Sequence, residues 1–477
     1  MNPPGLPAIP PPGSHTGRYP GRHGDFLNPS QIDRIAVPGR ILELQTHKEA
    51  TMNHNVASDL GETVPAETER GGNRRKWLFR VIAAVACLLA ANSVSGQIPG
   101  SPFDQGVLFD EISNLVSEKF WDEGFGGLDW QATASGWRER AARATSHDGF
   151  ADAVNGLLGE LKTSHTRYFP ATDPKHYQLL GVFDFVAPDD HPERFTYDGI
   201  GIDTKIVDGK VFVSAVFDGL PADKAGLKFG DEIVSVDSAP FHPVESFHGR
   251  AGQDGELSIR RTAGGPLQTV KVTVAALNGR TMFEDAMDSS ARIIERDGKK
   301  IGYVHLWSYA GIKYHDRLQQ LVLWGKLSQC DSLIVDFRDG WGGANLDYVN
   351  LFREPLVEIE SLGRVRQPAS FTGVWGKPVA LLINAGSTSG KELYAFAFRK
   401  HKLGTIVGAT SAGAVVAGQC IPLSNGDVLY LAVTDLRVDG QRLEGVGVPP
   451  DHPVGRPLPY ANGTDPQLDK AVELLAR

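Results

Sequence analysis

Cysteine is scarce in this chain of 477 residues: Cys87, Cys330 and Cys420 are too far apart for a zinc site or for a readable disulfide framework. Positive charge is short as well. With 48 Lys and Arg against 57 Asp and Glu, the formal net charge is -9, which excludes a general nucleic-acid binder, since that needs a basic face. No apolar run spans a bilayer comfortably, and no internal repeat of solenoid period occurs. What is present is an ordinary globular composition, 41% hydrophobic and 22% charged, at a length that accommodates two or three domains.

The first 70 residues are rich in Pro, Gly, His and polar side chains without sustained apolar periodicity, so segment 1–70 is expected to be disordered. If Met52 is the true start, residues 1–51 are not translated. Segment 71–96 reads as a secretory signal: Arg74, Arg75, Lys76 and Arg80, then the apolar stretch Val81–Ala91, then small residues around Ser93 and Ser95. The Arg-Arg-Lys start also fits a twin-arginine signal. The expectation is export to a periplasmic or extracellular location with a mature start near Gln97. The alternative is retention by an uncleaved anchor, which would be the protein's one membrane contact.

The mature chain changes period twice. In 97–180 the pattern is helical, with Leu108, Ile112, Leu115, Val116 and Phe120 on one stripe and Phe150, Val154, Leu157, Leu158 and Leu161 on another, so a small helical cap is predicted. In 196–277 it alternates with period two, around the segment LPADKAGLKFGDEIVSVD, which resembles a PDZ domain. That resemblance implies that the loop Gly199, Ile200, Gly201, Ile202 offers backbone N–H groups to the carboxylate of a peptide added to the sheet edge. In 278–477 buried strands (SLIVDF, PVALLIN, GTIVGA) alternate with helices, as in a layered α/β core, and DVLYLAVTDLRVDGQRLEG reads as a hairpin.

The stretch LLINAGSTSGKELYAF at 381–396 carries the chemistry. A phosphate loop needs Gly-x-x-x-x-Gly-Lys-Ser/Thr. Here Ala385 replaces the first glycine, and Glu392 stands where a magnesium-binding hydroxyl belongs. A strand, a turn of small residues and a helix also expose a nucleophile at a helix N-terminus, where backbone N–H groups face the reacting group. Ser387, Thr388 and Ser389 are all candidates, and spacing alone does not choose between them or rule out simple helix caps.

Together these segments resemble the tail-specific, or C-terminal processing, serine peptidases over nearly all of 103–475. The resemblance implies an α/β fold: an N-terminal helical cap, a PDZ-like β domain and a crotonase-like layered α/β protease core. Ser387, Ser389 and Glu392 match the family's Ser-x-Ser-x-x-Glu, which makes Ser389 the nucleophile and gives the N–H of Gly390 half of an oxyanion hole. DFRDGWGG at 336–343 resembles the turn that supplies the other half, through Gly342 and Gly343. The lysine base of the bacterial members is missing, since Ala414 takes its place. The tricorn-core branch instead uses a Ser-His pair and a Glu, matched here by Ser164, His165 and Glu444. The implied tetrad is Ser389, His165, Ser164 and Glu444. His165 acts as base, with a pKa near neutrality suiting the task, Ser164 fixes the imidazole, and Glu444 contacts the nucleophile's side. A second Thr-Ser-His, at 145–147, reads as a helix start, with Ser146 as N-cap and Asp148 in the first turn. Lys391, two positions after Ser389, points to a different face.

The function implied is an exported serine peptidase that acts on polypeptides, its PDZ domain binding their C-termini or gating the site. No metal or organic cofactor and no nucleic acid is implied. The alternative is an inactive binding protein on the same scaffold, a PDZ adaptor or an apolar-ligand carrier.

Overall fold

The computed structural model describes residues 104–183, 192–355, 357–361 and 369–477. The expected disordered segment 1–70 and signal segment 71–96 lie outside the described residues. Among the described residues no helix is long and apolar enough to cross a membrane. Cys330 and Cys420 are both buried and free.

Helices Gln105–Lys119, Trp130–Ala142 and His147–Gly159 open the fold. Each starts on a side-chain oxygen that accepts a first-turn amide: Asp104 from Val107, Asp129 from Ala132 and Ser146 from Gly149, all at 3.0 Å. Their apolar faces meet in one core built on Phe109, Val116, Trp130, Phe150, Val154 and Leu157. Leu429 and Leu431, from far down the chain, complete it.

The cap is not all helix. After its third helix comes the strand Arg167–Phe169, antiparallel to Val428–Thr434 with Arg167 opposite Tyr430, and then the helix Pro174–Val182. The expected hairpin over 427–445 is therefore corrected: Val428–Thr434 folds back on Ala417–Pro422, and only Arg437–Val438 and Gln441–Arg442 pair locally. The physical reason is burial. Leu429 and Leu431 are sealed in the cap's core, whereas Arg437, Asp439, Gln441 and Arg442 are exposed and offer a long hairpin nothing to bury.

Next comes a five-stranded antiparallel sheet in the order Ile202–Val207, Lys210–Val216, Glu232–Val236, Asp254–Arg260, Gln268–Thr273. Its inward residues Val213, Leu257, Ile259, Val270 and Val272 pack with Phe247, which is the alternation legible in the sequence. The strand Ile202–Val207 forms one edge. A two-stranded ribbon, Thr196–Gly199 with Ala275–Asn278, leads in and out of the domain.

The core sheet runs His452–Pro453, Thr405–Gly408, Val379–Ile383, Ser332–Asp336, Lys299–His305, Arg292–Arg296, parallel except for the last pair. Every residue of Val379–Ile383 and Ser332–Asp336 is buried, because parallel strands are covered on both faces. On one face Leu333, Val335, Leu381 and Ile383 meet Tyr394, Ala395 and Phe398 of the helix Gly390–Lys400. On the other, Ile334, Ala380 and Leu382 meet Ala471 of the closing helix Pro466–Ala476. Asp336 pairs with Leu382, so the turns after these two strands emerge side by side.

Candidate active site

Ser389 stands at the N-cap of Gly390–Lys400 with φ 56° and ψ -124°. A non-glycine residue held there is strained, and such strain concentrates at functional turns. The turn is fixed from both sides. Ser387 is fully buried, its hydroxyl donating to the Phe337 carbonyl (2.9 Å) and accepting from the Asn384 amide (3.0 Å). That hydroxyl is committed to structure, so Ser389 is the better candidate. The Ser389 amide is shared between the Ala414 carbonyl (2.8 Å) and the Glu392 carboxylate (3.1 Å). Glu392, also fully buried, accepts further bonds from the Ser411 hydroxyl (2.6 Å) and the Gly413 and Ala414 amides (both 2.7 Å). Burial pushes its carboxyl above the usual range, and these donors work against the rise.

The glycines predicted to form the oxyanion hole abut the same turn. A Cβ added to Gly342 would fall 2.7 Å from the Ser389 Cβ, and one added to Gly390 would fall 2.3 Å from the Ala344 amide nitrogen. Only residues without a side chain allow this approach. Among the described residues no atom accepts a hydrogen bond from the amides of Gly390, Gly342 or Gly343.

Ser164, His165 and Glu444 are brought into contact. Only Thr166 separates His165 from the strand Arg167–Phe169, and the imidazole lies against the Tyr430 ring, centroids 5.1 Å apart. The Ser164 hydroxyl sits 2.9 Å from His165 Nδ1 and 2.9 Å from Glu444 Oε2. Its one proton goes to the carboxylate, which can only accept, so Nδ1 carries the proton it donates to Ser164 and Nε2 is left with a free lone pair. Burial pulls the His165 imidazole down to about 4, with the Glu444 carboxylate opposing the drop. This corrects the expectation of a pKa near neutrality: the ring is desolvated and starts neutral, as a base must.

Glu444 is held by more than Ser164. Its carboxylate also accepts the amides of Ser164 (2.9 Å), Val415 (2.7 Å) and Val416 (3.2 Å). These donors fix the carboxylate beside Ser164. His165 and Ser389 share no hydrogen bond. They are connected through segment 414–416, whose Ala414 carbonyl holds Ser389 and whose next two amides hold Glu444.

Lys391 points away from the Ser389 hydroxyl, its ammonium donating to the Asp339 carbonyl at 2.7 Å. In the PDZ-like domain, Gly199 lies in the ribbon and Ile202 begins the edge strand. The carbonyls of Ile200 and Gly201 are taken by the amides of Ala222 (2.8 Å) and Phe217 (3.0 Å). Gly201 has φ 79°, and its α-carbon packs so tightly on Leu220 that a Cβ would come within 2.6 Å. Sequence reasoning missed one neighbour of the site: Trp341, beside Gly342, donates its indole N–H to Gln178 (3.1 Å) on the helix Pro174–Val182. That helix has almost every residue buried and no amphipathic stripe to announce it.

Residues 300–454 match the model of peptidase family S41, residues 106–159 that of the tricorn protease C1 domain and residues 199–274 that of the PDZ domain. The chain is 29% identical over 386 residues to putative tricorn protease homolog 2 of Streptomyces coelicolor, covering 77% of this chain and 32% of that protein. Against tricorn protease homolog 1 of the same organism the values are 26% over 383 residues, 77% and 34%. With the carboxyl-terminal-processing protease of Synechocystis they are 24% over 432 residues, 84% and 93%. The chain thus spans about a third of the length of the two tricorn homologues.

Proposed function

Since the chain carries a peptidase S41 core behind a tricorn C1 segment and a PDZ domain, we propose that it is a serine peptidase that cleaves polypeptides through an acyl-enzyme on Ser389. The observation that carries this reading is the Ser164–His165–Glu444 relay, which leaves a neutral imidazole with its Nε2 lone pair free, in the same site as a strained serine facing a turn of glycines.

His165 takes the proton of the Ser389 hydroxyl as that oxygen attacks the peptide carbonyl. The oxyanion is received by the amides of Gly390 and of Gly342 or Gly343, where the loss of one donor costs about 100- to 1,000-fold in rate. The imidazolium then gives its proton to the leaving amine. Water, deprotonated by the same ring, releases the acyl group. The Glu444 carboxylate stabilises the charged ring through Ser164. The PDZ domain takes the substrate's C-terminal end along the edge Ile202–Val207, and the basic and apolar segment 71–96 directs export.

A fluorophosphonate probe tests the reading on the purified full chain. The expected result is one adduct, located at Ser389 by peptide mass spectrometry, lost in Ser389→Ala and slowed at least about 1,000-fold in His165→Ala. The missing contact between His165 and Ser389 favours a second reading, a PDZ adaptor with an inactive core. It calls for peptide binding by a protein that takes no label.

A further inference from the structure

Lys391 is fully buried two residues into the helix that Ser389 caps. Its Nζ donates to the carbonyls of Asp339 (2.7 Å) and Trp307 (3.4 Å). Both carbonyls belong to the framework of the glycine turn. The Trp307 carbonyl also receives the Trp341 amide (2.7 Å), and Gly340 lies so close that a Cβ would fall 1.9 Å from that oxygen. The turn takes left-handed backbone at Asp339, Gly340 and Gly343, with φ of 54°, 69° and 87°, which glycine adopts freely and Asp339 only under strain. Packing alone does not call for a lysine here. Taking an ammonium out of water costs several kcal/mol, and an apolar side chain of similar length fills the same space without that cost.

We propose that Lys391 is a positioning residue that pins the Asp339–Gly343 turn against the start of the Gly390–Lys400 helix and so presents the turn's amides to Ser389. This rests on the reading of Ser389 as nucleophile. The charged groups around the pin come from each packed element: Asp336 from its strand, Arg338 and Asp339 from the turn, His305 from the neighbouring strand, and Asp218 through its bond to the Trp307 indole. Burial pulls the Lys391 ammonium down to about 7 against the pull of Asp336 and Asp339. The pin is therefore a charge-assisted donor in acid and weakens to a neutral amine as pH rises through neutrality.

The test uses the full chain, Lys391→Met and Lys391→Gln. Fluorophosphonate acylation is read from about pH 5 to about pH 9, along with thermal midpoints and hydrogen exchange over 339–343. The unsubstituted chain should slow above about pH 7. Both variants should lack that slowing and acylate about 100-fold more slowly below it. Exchange over 339–343 should quicken about 10-fold, with the midpoint unchanged or raised. Acylation and exchange that match the unsubstituted chain in both variants would overturn the proposal. Absence of label on the unsubstituted chain would sink the peptidase reading instead. The pin is then judged by exchange alone: faster exchange at an unchanged midpoint supports it, and unchanged exchange overturns it.

Discussion

Ser164 occupies a position where one hydroxyl serves two neighbours, giving its proton to Glu444 and accepting the one on His165 Nδ1. Ser164→Ala removes both bonds and lets the imidazole protonate on Nε2, the wrong nitrogen for a base. Acylation is expected to fall about 100-fold or more, with a small change in melting temperature. Because His165 is held down to about 4, the rate in the unsubstituted chain should rise as pH rises through that value and be fully developed by neutrality. A labelling profile against pH checks both points. The sequence made these residues findable through the segments KTSHT and LEGVGVPPD. It did not reveal what anchors the Glu444 carboxylate, since that follows from bonds to the Val415 and Val416 amides, which no local pattern encodes.

At the scale of elements, the helix Gly390–Lys400 is anchored less by its own turn than by the carboxylate of Glu392, which ties it to the loop 411–414. Glu392→Ala would strand donors at Ser411, Gly413 and Ala414, each costing about 1–3 kcal/mol when unpaired. A loss of at least about 3 kcal/mol in urea-induced unfolding is expected, with Glu392→Gln keeping part of it. The parallel core strands were legible because burial on both faces writes itself as an unbroken apolar run. The helices Trp130–Ala142 and Pro174–Val182 were not. The first buries only Trp130, Ala134 and Ala141, too thin a stripe to register, and the second is buried nearly all round. The pairing of Arg167–Phe169 with Val428–Thr434 escaped for a different reason, since strand partners distant in sequence leave no period to read.

Across the whole molecule, the PDZ domain meets the core at Asp218, whose carboxylate accepts the Trp307 indole N–H (2.9 Å) and lies 3.9 Å from His305. Burial pushes this carboxyl up to about 6. A carboxyl that holds its proton more tightly when folded stabilises the fold in acid, and that contribution is lost as pH rises from the ordinary carboxylate range through about 6. The melting temperature of the unsubstituted chain should therefore drop more between about pH 5 and about pH 7 than that of Asp218→Asn, as differential scanning calorimetry would record.

Ser164 and Glu444 are 280 residues apart in sequence yet directly bonded, and His165 is held by a strand laid on Val428–Thr434. A chain emerging from the ribosome thus carries His165 long before it has the carboxylate and the strand that hold the imidazole in place. On the proposed peptidase reading, chain order itself postpones cleavage until the segment that carries Glu444 has been made.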